Sequence, residues 1–212
     1  MSDNKNRDDN KFKETALDYG KQSYGDYLSW DDEQRYEIIE GTVYIMSPGP
    51  NRFHQKASGD IFNQFYNYLQ NKECEIYAAP FDIRLPEGNE KDEDILTVVQ
   101  PDLILICDEE KLDKRGCRGA PDLIVEILSP SSYKKDKIIK RELYEKHGVK
   151  EYWLVDLEGK IVEVYKLQED GEYGKSELYT EEENIPIGIF DGDLVVYLDL
   201  PDTSAEDSLT NS

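Results

Sequence analysis

The fold is decided by two short apolar runs, VVQPDLILIC at 98–107 and APDLIVEIL at 120–128. Leu103–Cys107 and Leu123–Leu128 are rich in aliphatic residues and are bounded by proline or glycine, which predicts two buried strands. Because side chains alternate across a strand, each run places apolar residues on both of its faces. We therefore expect both strands to lie in the middle of a sheet that is covered on each side.

Each run also carries a carboxylate where apolar residues are expected. Glu126 lies inside the second run, on the same face as Ile124 and Leu128, and Asp102 shares a face with Ile104 of the first run. An ionised carboxylate in such a position is costly unless it is paired or binds a cation. Asp102 and Glu126 are therefore the first candidate functional residues.

A helical pattern follows the second run and carries a lysine on its apolar side. The serine-rich turn at 129–132 favours a helix start, and Gly148 favours its end. At about 100° per residue, Lys140 falls within the core-facing apolar stripe. Lysine is rarely buried without a partner, so we expect Lys140 to pair with Glu126.

Two carboxylates beside one lysine are the groups that phosphodiester hydrolysis needs. Carboxylate oxygens hold Mg²⁺ or Mn²⁺, and a lysine orients the attacking water or stabilises developing negative charge. The pattern predicts Asp102 and Glu126 as metal ligands and as catalytic residues together with Lys140. A buried Glu–Lys ion pair with a purely structural role is the alternative interpretation.

These residues also carry a family resemblance. Pro101-Asp102 followed by Glu126-Ile127-Leu128 resembles the PD-(D/E)XK pattern of restriction-endonuclease-like nucleases, with Leu128 where the motif has lysine. Lysine migration to the following helix is known in this superfamily, and Lys140 would be the migrated copy. A wider series of segments, from about Tyr36 to Leu167, resembles the Uma-two family of restriction-endonuclease-like proteins. These segments are YEIIEGTVYIMSPGPNRFHQ, APFDIRL, VVQPDLILIC, APDLIVEILSPSS, DKIIKRELYEKHGVKEYWLVD and VEVYKL.

The resemblance implies a metal-dependent endonuclease that hydrolyses phosphodiester bonds in DNA. Since two strands of a duplex must be cut, it also implies a homodimer. Three further residues are candidates to complete the site: Glu40, His54 and Asp82. The resemblance places a histidine at position 54, whereas Asp82 is equally compatible with an exposed place on a half-buried strand. The alternative function is a non-cleaving binding or assembly module that keeps the same fold.

The order of elements predicts an α/β (α+β) fold of the restriction-endonuclease-like kind, with a mixed central sheet flanked by helices. We expect a hairpin around Glu40-Gly41, a helix over 52–70 and a third strand over Glu75–Leu85 that bends at Pro80. Strands are expected over Glu151–Asp156 and Ile161–Leu167, followed by weaker strands up to Leu200. The predicted organisation is a polar, partly flexible N-terminal segment at 1–30, a single domain at 31–200 and an acidic, flexible tail at 201–212.

The charge balance limits how this chain can bind DNA. It holds 47 acidic and 25 basic residues, for a formal net charge of −22 at pH 7. Proteins that hold DNA through many phosphate contacts usually present a basic face. Positions 134–150 do carry seven Lys or Arg against three acidic residues, a strip that could face DNA or simply solvent. We expect only transient, weak non-specific affinity for DNA.

The remaining composition points to a cytoplasmic protein without membrane contact. No apolar run approaches the length of a membrane span, and the first ten residues lack the apolar core of a signal peptide. The three cysteines, Cys74, Cys107 and Cys117, form an odd set without a C-x-x-C motif. That set predicts neither a disulfide framework nor a zinc site.

Overall fold

The computed structural model describes residues 16–17, 20–31, 33–46 and 49–200. The tail predicted at 201–212 and most of the segment predicted at 1–30 therefore lie outside the described residues, and the predicted domain boundaries stay predictions. Three helices are described: α1 (Tyr24–Tyr27), α2 (Arg52–Tyr68) and α3, which is a π-helix over Lys135–Lys140 and an α-helix over Arg141–His147.

Fifteen strands, most of them short, are formed by the described residues. They are β1 (Ala16–Leu17), β2 (Tyr36–Ile39), β3 (Thr42–Ile45), β4 (Glu75–Ala78), β5 (Ile83–Arg84), β6 (Val98–Val99), β7 (Leu103–Ile106), β8 (Leu112–Asp113), β9 (Gly116–Arg118), β10 (Leu123–Ile127), β11 (Glu151–Asp156), β12 (Ile161–Lys166), β13 (Glu177–Thr180), β14 (Asn184–Pro186) and β15 (Val195–Tyr197). Three 3₁₀ turns lie at Asp92–Asp94, Glu109–Lys111 and Gly188–Phe190.

A six-stranded mixed sheet, called the site sheet below, has the strand order β13-β12-β11-β10-β7-β4. Its inner strand β10 runs parallel to β11 and antiparallel to β7. Every residue of β7 and β10 is buried. The two central strands predicted from the apolar runs are therefore confirmed.

A second mixed sheet of seven strands has the order β1-β3-β2-β6-β5-β9-β8, and β14 and β15 form a separate hairpin. The predicted mixed α+β class is confirmed, although the strands divide between two large sheets where one central sheet was expected. The division arises because several strands of two to four residues, such as β6 and β9, add to β2 and β5 rather than to β7.

The strand predicted over 75–85 is wrong as a single element. Strand β4 ends just before the cis Ala79–Pro80 bond, and the next strand, β5, begins at Ile83. β4 pairs with β7 in the site sheet, whereas β5 pairs with β6 and β9 in the second sheet. Since proline has no N–H to continue a strand ladder, Pro80 ends one sheet and lets the chain enter the other.

The predicted hairpin around Glu40-Gly41 is confirmed as β2 and β3. Both turn residues have positive φ, 51° at Glu40 and 85° at Gly41, which suits the tight connection of two twisted strands. The hairpin register places Glu37 opposite Tyr44. The strands therefore carry Glu37, three residues before the turn, into the interior.

Helix α2 confirms the helix predicted over 52–70. It begins at Asn51, whose side-chain oxygen accepts hydrogen bonds from the backbone N–H groups of Phe53 and His54 at 3.1 and 2.9 Å, an N-cap that satisfies two of the first N–H groups. Its apolar face is buried at four positions: Phe53, Ala57, Ile61 and Phe65. The cap and this face together hold the first turn, with His54, against the site sheet.

The site sheet is covered on both faces. Helix α2 and the β14–β15 hairpin bury one face, on which Val125 and Trp153 lie. Helix α3 and parts of the second sheet bury the other face, where Ile124 and Tyr152 lie. Among the described residues, no helix has the length and apolar character to cross a bilayer.

The prediction that the cysteines form no disulfide is wrong. Cys74 and Cys107 are joined by a disulfide at the ends of β4 and β7, just beyond the paired residues Glu75 and Ile106. The two cysteines are 33 residues apart in the sequence, and only the pairing of the two strands brings them together. Cys117 is the free cysteine of the set, and it is buried.

Thiol titration should detect this disulfide directly. We expect no reactive thiol in the folded protein, because Cys117 is fully buried and burial raises its pKa to about 11. After unfolding without reductant one thiol should react, and after unfolding with reductant all three cysteines should react. Three thiols in the unfolded, unreduced protein would show that the Cys74–Cys107 bond is absent.

Candidate active site

A cleft of about 850 Å³ opens where the start of β7 and the end of β10 meet the starts of α2 and α3. The three residues predicted as catalytic, Asp102, Glu126 and Lys140, all line it, as does His54. The remaining wall is mixed, with apolar residues such as Phe53, Ile127 and Leu157 beside polar ones. It includes Arg35, Gln100, Lys135, Asp136 and the serines at 129, 131 and 132.

Asp102 stands just before β7 and is held by groups from two other elements. Its Oδ2 accepts a hydrogen bond from the backbone N–H of Ile127 at 2.7 Å and lies 3.2 Å from Nε2 of His54. Burial opposes a charge on His54, but the Asp102 carboxylate outweighs it and raises the pKa of His54. Since both contacts fall on Oδ2, Oδ1 of Asp102 is the oxygen left for a ligand.

Glu126 is buried in the middle of β10 and pairs with Lys140, as the sequence predicts. Its Oε1 accepts hydrogen bonds from Nζ of Lys140 at 2.8 Å and from the hydroxyl of Tyr144 at 3.1 Å. Burial raises the pKa of Glu126 well above its ordinary value, and Lys140 only partly offsets this because Asp136 and Asp102 lie nearby. A further cation would stabilise the ionised carboxylate, and Oε2 is the oxygen without these two contacts.

The first turns of α3 bring three charged residues inward instead of the single lysine that was singled out. Lys135, Asp136 and Lys140 are all buried. In a regular α-helix, residues five apart lie about 140° from each other. The i→i+5 pattern of a π-helix widens the turn, so Lys135 and Lys140 lie on nearly the same face. Regular helical periodicity places Asp136 on the same face as Lys140, four residues away, but it could not reveal that Lys135 joins them.

Glu37 on β2 is the acidic partner that sequence reasoning missed. It is fully buried, and its Oε1 accepts hydrogen bonds from Nζ of Lys140 at 2.7 Å and from the backbone N–H of Gln100 at 3.0 Å. Its Oε2 accepts one from Nζ of Lys135. Burial would raise the pKa of Glu37, but the two lysines lower it to about 2. A glutamate in a hairpin strand looks exposed in sequence, and only the unmatched charge of the lysine helix hints at its role.

The other two residues predicted to complete the site lie away from it. Glu40 is exposed in the β2–β3 turn and pairs with Nζ of Lys146 at 2.9 Å. Asp82 accepts hydrogen bonds from the Tyr24 hydroxyl at 3.3 Å and from Nε2 of Gln100 at 2.7 Å. Neither carboxylate lines the cleft. Of the three additional candidates, the structure brings only His54 to the predicted residues.

The arrangement of these elements matches known proteins. A family model described as "Putative restriction endonuclease", that of Uma2, matches residues 24–199. The chain belongs to the Uma2 family. A crystal structure titled as a putative nuclease belonging to DUF820 from Anabaena variabilis superposes with a TM-score of 0.63 over 84% of this chain and 94% of the other, at 19% identity. That likeness confirms the predicted restriction-endonuclease-like fold.

One sequence relative extends over most of the chain. An uncharacterized protein of Synechocystis is 28% identical over 158 residues, which cover 73% of this chain and 79% of the relative. The name of that relative assigns it no activity. Membership in Uma2 places the chain in a putative restriction-endonuclease family, and the chemistry of its cleft depends on the residues that line it.

The Uma2 cleft has the charge and the oxygen donors to accept a divalent cation. The carboxylates of Glu37, Asp102, Glu126 and Asp136 outnumber the two lysines of the cluster, which leaves a formal charge of −2 with His54 neutral and −1 with His54 protonated. Oδ1 of Asp136 is buried without a hydrogen bond. Within the described residues, no three His, Cys, Asp or Glu side chains form a ready-made metal site. Mg²⁺ commonly uses one or two carboxylates and keeps several waters, so Asp102 and Glu126 fit it.

The basic strip predicted at 134–150 is largely neutralised in the folded chain. Lys135 and Lys140 point into the cluster described above, Lys146 pairs with Glu40 and Glu87, and Lys150 lies 2.6 Å from Asp122. Ion pairs of this kind leave little charge for phosphate binding. The strip is therefore mainly structural.

Proposed function

We propose that this protein is a metal-dependent endonuclease that hydrolyses phosphodiester bonds in DNA. The observation that carries the proposal is the convergence of Asp102, Glu126 and Lys140 in one cleft, where the carboxylates exceed the lysines in number. A purely structural ion pair needs only balanced charges, whereas this cluster has an excess of negative charge that a divalent cation would neutralise. Membership in Uma2 supports the same activity.

The residues divide the work of hydrolysis between them. Asp102 and Glu126 would hold Mg²⁺ or Mn²⁺ through Oδ1 and Oε2, the oxygens that their protein contacts leave available. The bound cation would supply an activated water and offset negative charge at the phosphate. His54 keeps Asp102 oriented by contacting its other oxygen. Lys140 presents an ammonium group beside Glu126, where it would orient the attacking water or stabilise charge on the phosphate.

Arg35 is the cleft residue best suited to contact the DNA backbone. Its Nε and Nη2 both donate to the side-chain oxygen of Gln100, at 2.9 and 2.7 Å. No carboxylate in the described part of the chain forms an ion pair with it within 4 Å. A guanidinium that keeps donors unused suits a phosphate. Few such contacts exist beside a net charge of −22, so we propose transient DNA binding with weak non-specific affinity.

A plasmid assay with separate metal binding tests the proposal. We expect wild-type protein to nick or linearise supercoiled DNA with Mg²⁺ or Mn²⁺ and to do nothing with EDTA, because the carboxylates alone cannot activate water. Calorimetry should detect Mn²⁺ binding, and Asp102→Asn should weaken it. Metal binding without cleavage of any DNA would favour the non-cleaving module, and absence of metal binding would favour a structural ion pair.

Two further properties belong to this proposal. Because both strands of a duplex must be cut, we propose that the protein acts as a homodimer, in which case light scattering gives twice the mass of one chain. We also propose that it works in the cytoplasm, where its substrate would be found. The Cys74–Cys107 disulfide argues against that location, because a reducing cytoplasm keeps most thiols unpaired. A thiol count on protein taken from cells without exposure to oxidants tests this: three free thiols fit the cytoplasm, and a single free thiol contradicts it.

A further inference from the structure

Glu37 lies outside the proposed chemistry, yet it makes more contacts with the lysines than Glu126 does. It is fully buried on β2, in the second sheet, and does not line the cleft. Both of its carboxylate oxygens are engaged, one by Lys140 and the backbone of Gln100, the other by Lys135. A carboxylate so enclosed has no oxygen to offer a metal ion. Its position therefore calls for a role other than that of a ligand.

The donors of Lys140 show what such a role would be. A lysine ammonium group has three N–H donors. One points to Oε1 of Glu37 at 2.7 Å and one to Oε1 of Glu126 at 2.8 Å. Oδ1 of Asp136 is 3.5 Å from Nζ and accepts no hydrogen bond. Two donors are thus fixed by carboxylates on different sheets, and the third is available to a water or a phosphate oxygen.

Competition for Glu126 makes the second carboxylate necessary. A cation on Oε2 of Glu126 would weaken the attraction of that carboxylate for the ammonium group on its Oε1, so a lysine held by Glu126 alone would be loosened by metal binding. Glu37 holds the same ammonium group from β2, in the other sheet, and has no free oxygen with which to bind the metal. Lys140 therefore stays charged and in place when a metal ion binds Glu126.

We propose that Glu37 is a positioning residue that anchors Lys140 beside the reacting phosphate, so that metal binding at Glu126 does not displace the lysine. The inference rests on the proposed nuclease function for its kinetic consequence. Its structural consequence, an ammonium group immobilised by Glu37, is independent of any activity.

The isosteric substitution Glu37→Gln removes the anchoring charge and keeps the shape. Lysine ammonium signals in ¹⁵N NMR spectra report how tightly such a group is held, and Lys140→Met identifies the signal of Lys140. We expect this signal to disappear or shift in Glu37→Gln. The kcat should fall about 10- to 100-fold, with KM for DNA within about threefold of wild type. The Mn²⁺ dissociation constant should rise about tenfold, because Lys140 then pairs more fully with Glu126.

Glu151→Gln is the matched control. Glu151 is also a buried glutamate, but it accepts hydrogen bonds from Trp153 and Gly188 and does not line the cleft. We expect it to leave the Lys140 signal, the metal affinity and kcat unchanged. Glu37→Asp keeps the charge and should recover part of both the Lys140 signal and kcat. If Glu37 were needed only for folding, its substitutions would not lower kcat selectively while KM stays near the wild-type value.

The outcomes distinguish this inference from the nuclease proposal. If Glu37→Gln does not fold, the double variant Glu37→Gln/Lys135→Met, which removes one charge of each sign, carries the same expectations. A folded variant that keeps the Lys140 signal and kcat overturns the role of Glu37 while leaving the nuclease intact. Absence of cleavage by wild type overturns the nuclease, and the ammonium signal still decides whether Glu37 anchors Lys140.

Discussion

Replacing Glu126 by Gln is expected to abolish Mn²⁺ binding and to reduce DNA nicking by more than about 100-fold. Glu126 would supply one of two carboxylate ligands, and an amide oxygen carries no charge to offset that of the cation. The fold should persist, because Gln has the same shape and Lys140 keeps its partner Glu37. Calorimetry with Mn²⁺ and a plasmid assay on the same protein preparation measure both effects.

Asp122→Asn is a suitable control for this experiment. Asp122 is buried just before the same strand, and it accepts hydrogen bonds from the backbone of Cys107 and from Lys150 without lining the cleft. It should bind Mn²⁺ and nick DNA as wild type does. Normal metal binding by a folded Glu126→Gln variant would exclude Glu126 as a ligand and return it to a structural role.

Replacing Lys140 by Met is expected to destabilise the protein by about 3–5 kcal/mol, because it leaves buried carboxylates without their counter-charge. Glu37 and Glu126 both lose a hydrogen-bonded partner whose side chain is only 3% exposed. Urea unfolding followed by circular dichroism measures the change. Under conditions where the variant is folded, nicking should still fall by about 100-fold, since the proposed donor to the water is gone.

Lys150→Met provides the comparison for an exposed ion pair. The side chain of Lys150 is 64% exposed and pairs with Asp122, so its loss should cost less than about 1 kcal/mol. Adding Glu126→Gln to Lys140→Met should restore part of the stability, because one uncompensated buried charge disappears with it. A Lys140→Met variant as stable as Lys150→Met would mean that the cluster carries no net interaction energy.

The elements that sequence predicted well are those set by neighbouring residues. Strands β7 and β10 follow from short apolar runs, and α2 follows from apolar residues at helical spacing. The β2–β3 hairpin follows from Glu40-Gly41, where a tight turn needs positive φ. Each of these patterns is local, so each can be seen without knowing what packs against it.

The elements that sequence did not predict depend on partners distant in the chain. Whether the segment around Pro80 forms one strand or two depends on which sheets accept its halves. The disulfide depends on the register of β4 against β7, which places Cys74 next to Cys107. Strand pairing over such separations leaves no periodic signal in either partner.

The candidate site divides in the same way. Asp102, Glu126 and Lys140 could be recognised because a charge inside an apolar pattern is costly and needs an explanation. Glu37 and Lys135 could not be recognised in this way. Glu37 is buried only when the seven-stranded sheet packs on α3, and Lys135 points inward only because of the π-helical turn.

The sequence by itself determined the central strands, the helices beside them and the three charged residues that must be compensated inside the protein. The sequence also predicted that Lys140 pairs with Glu126, but tertiary structure decided the remaining partners: β2 places Glu37 beside Lys140 from another sheet, and the first turn of α2 places His54 beside Asp102. The physical reason is that the cost of burying a charge is a property of its own segment. The group that offsets this cost can come from any part of the chain that the fold brings within hydrogen-bonding distance.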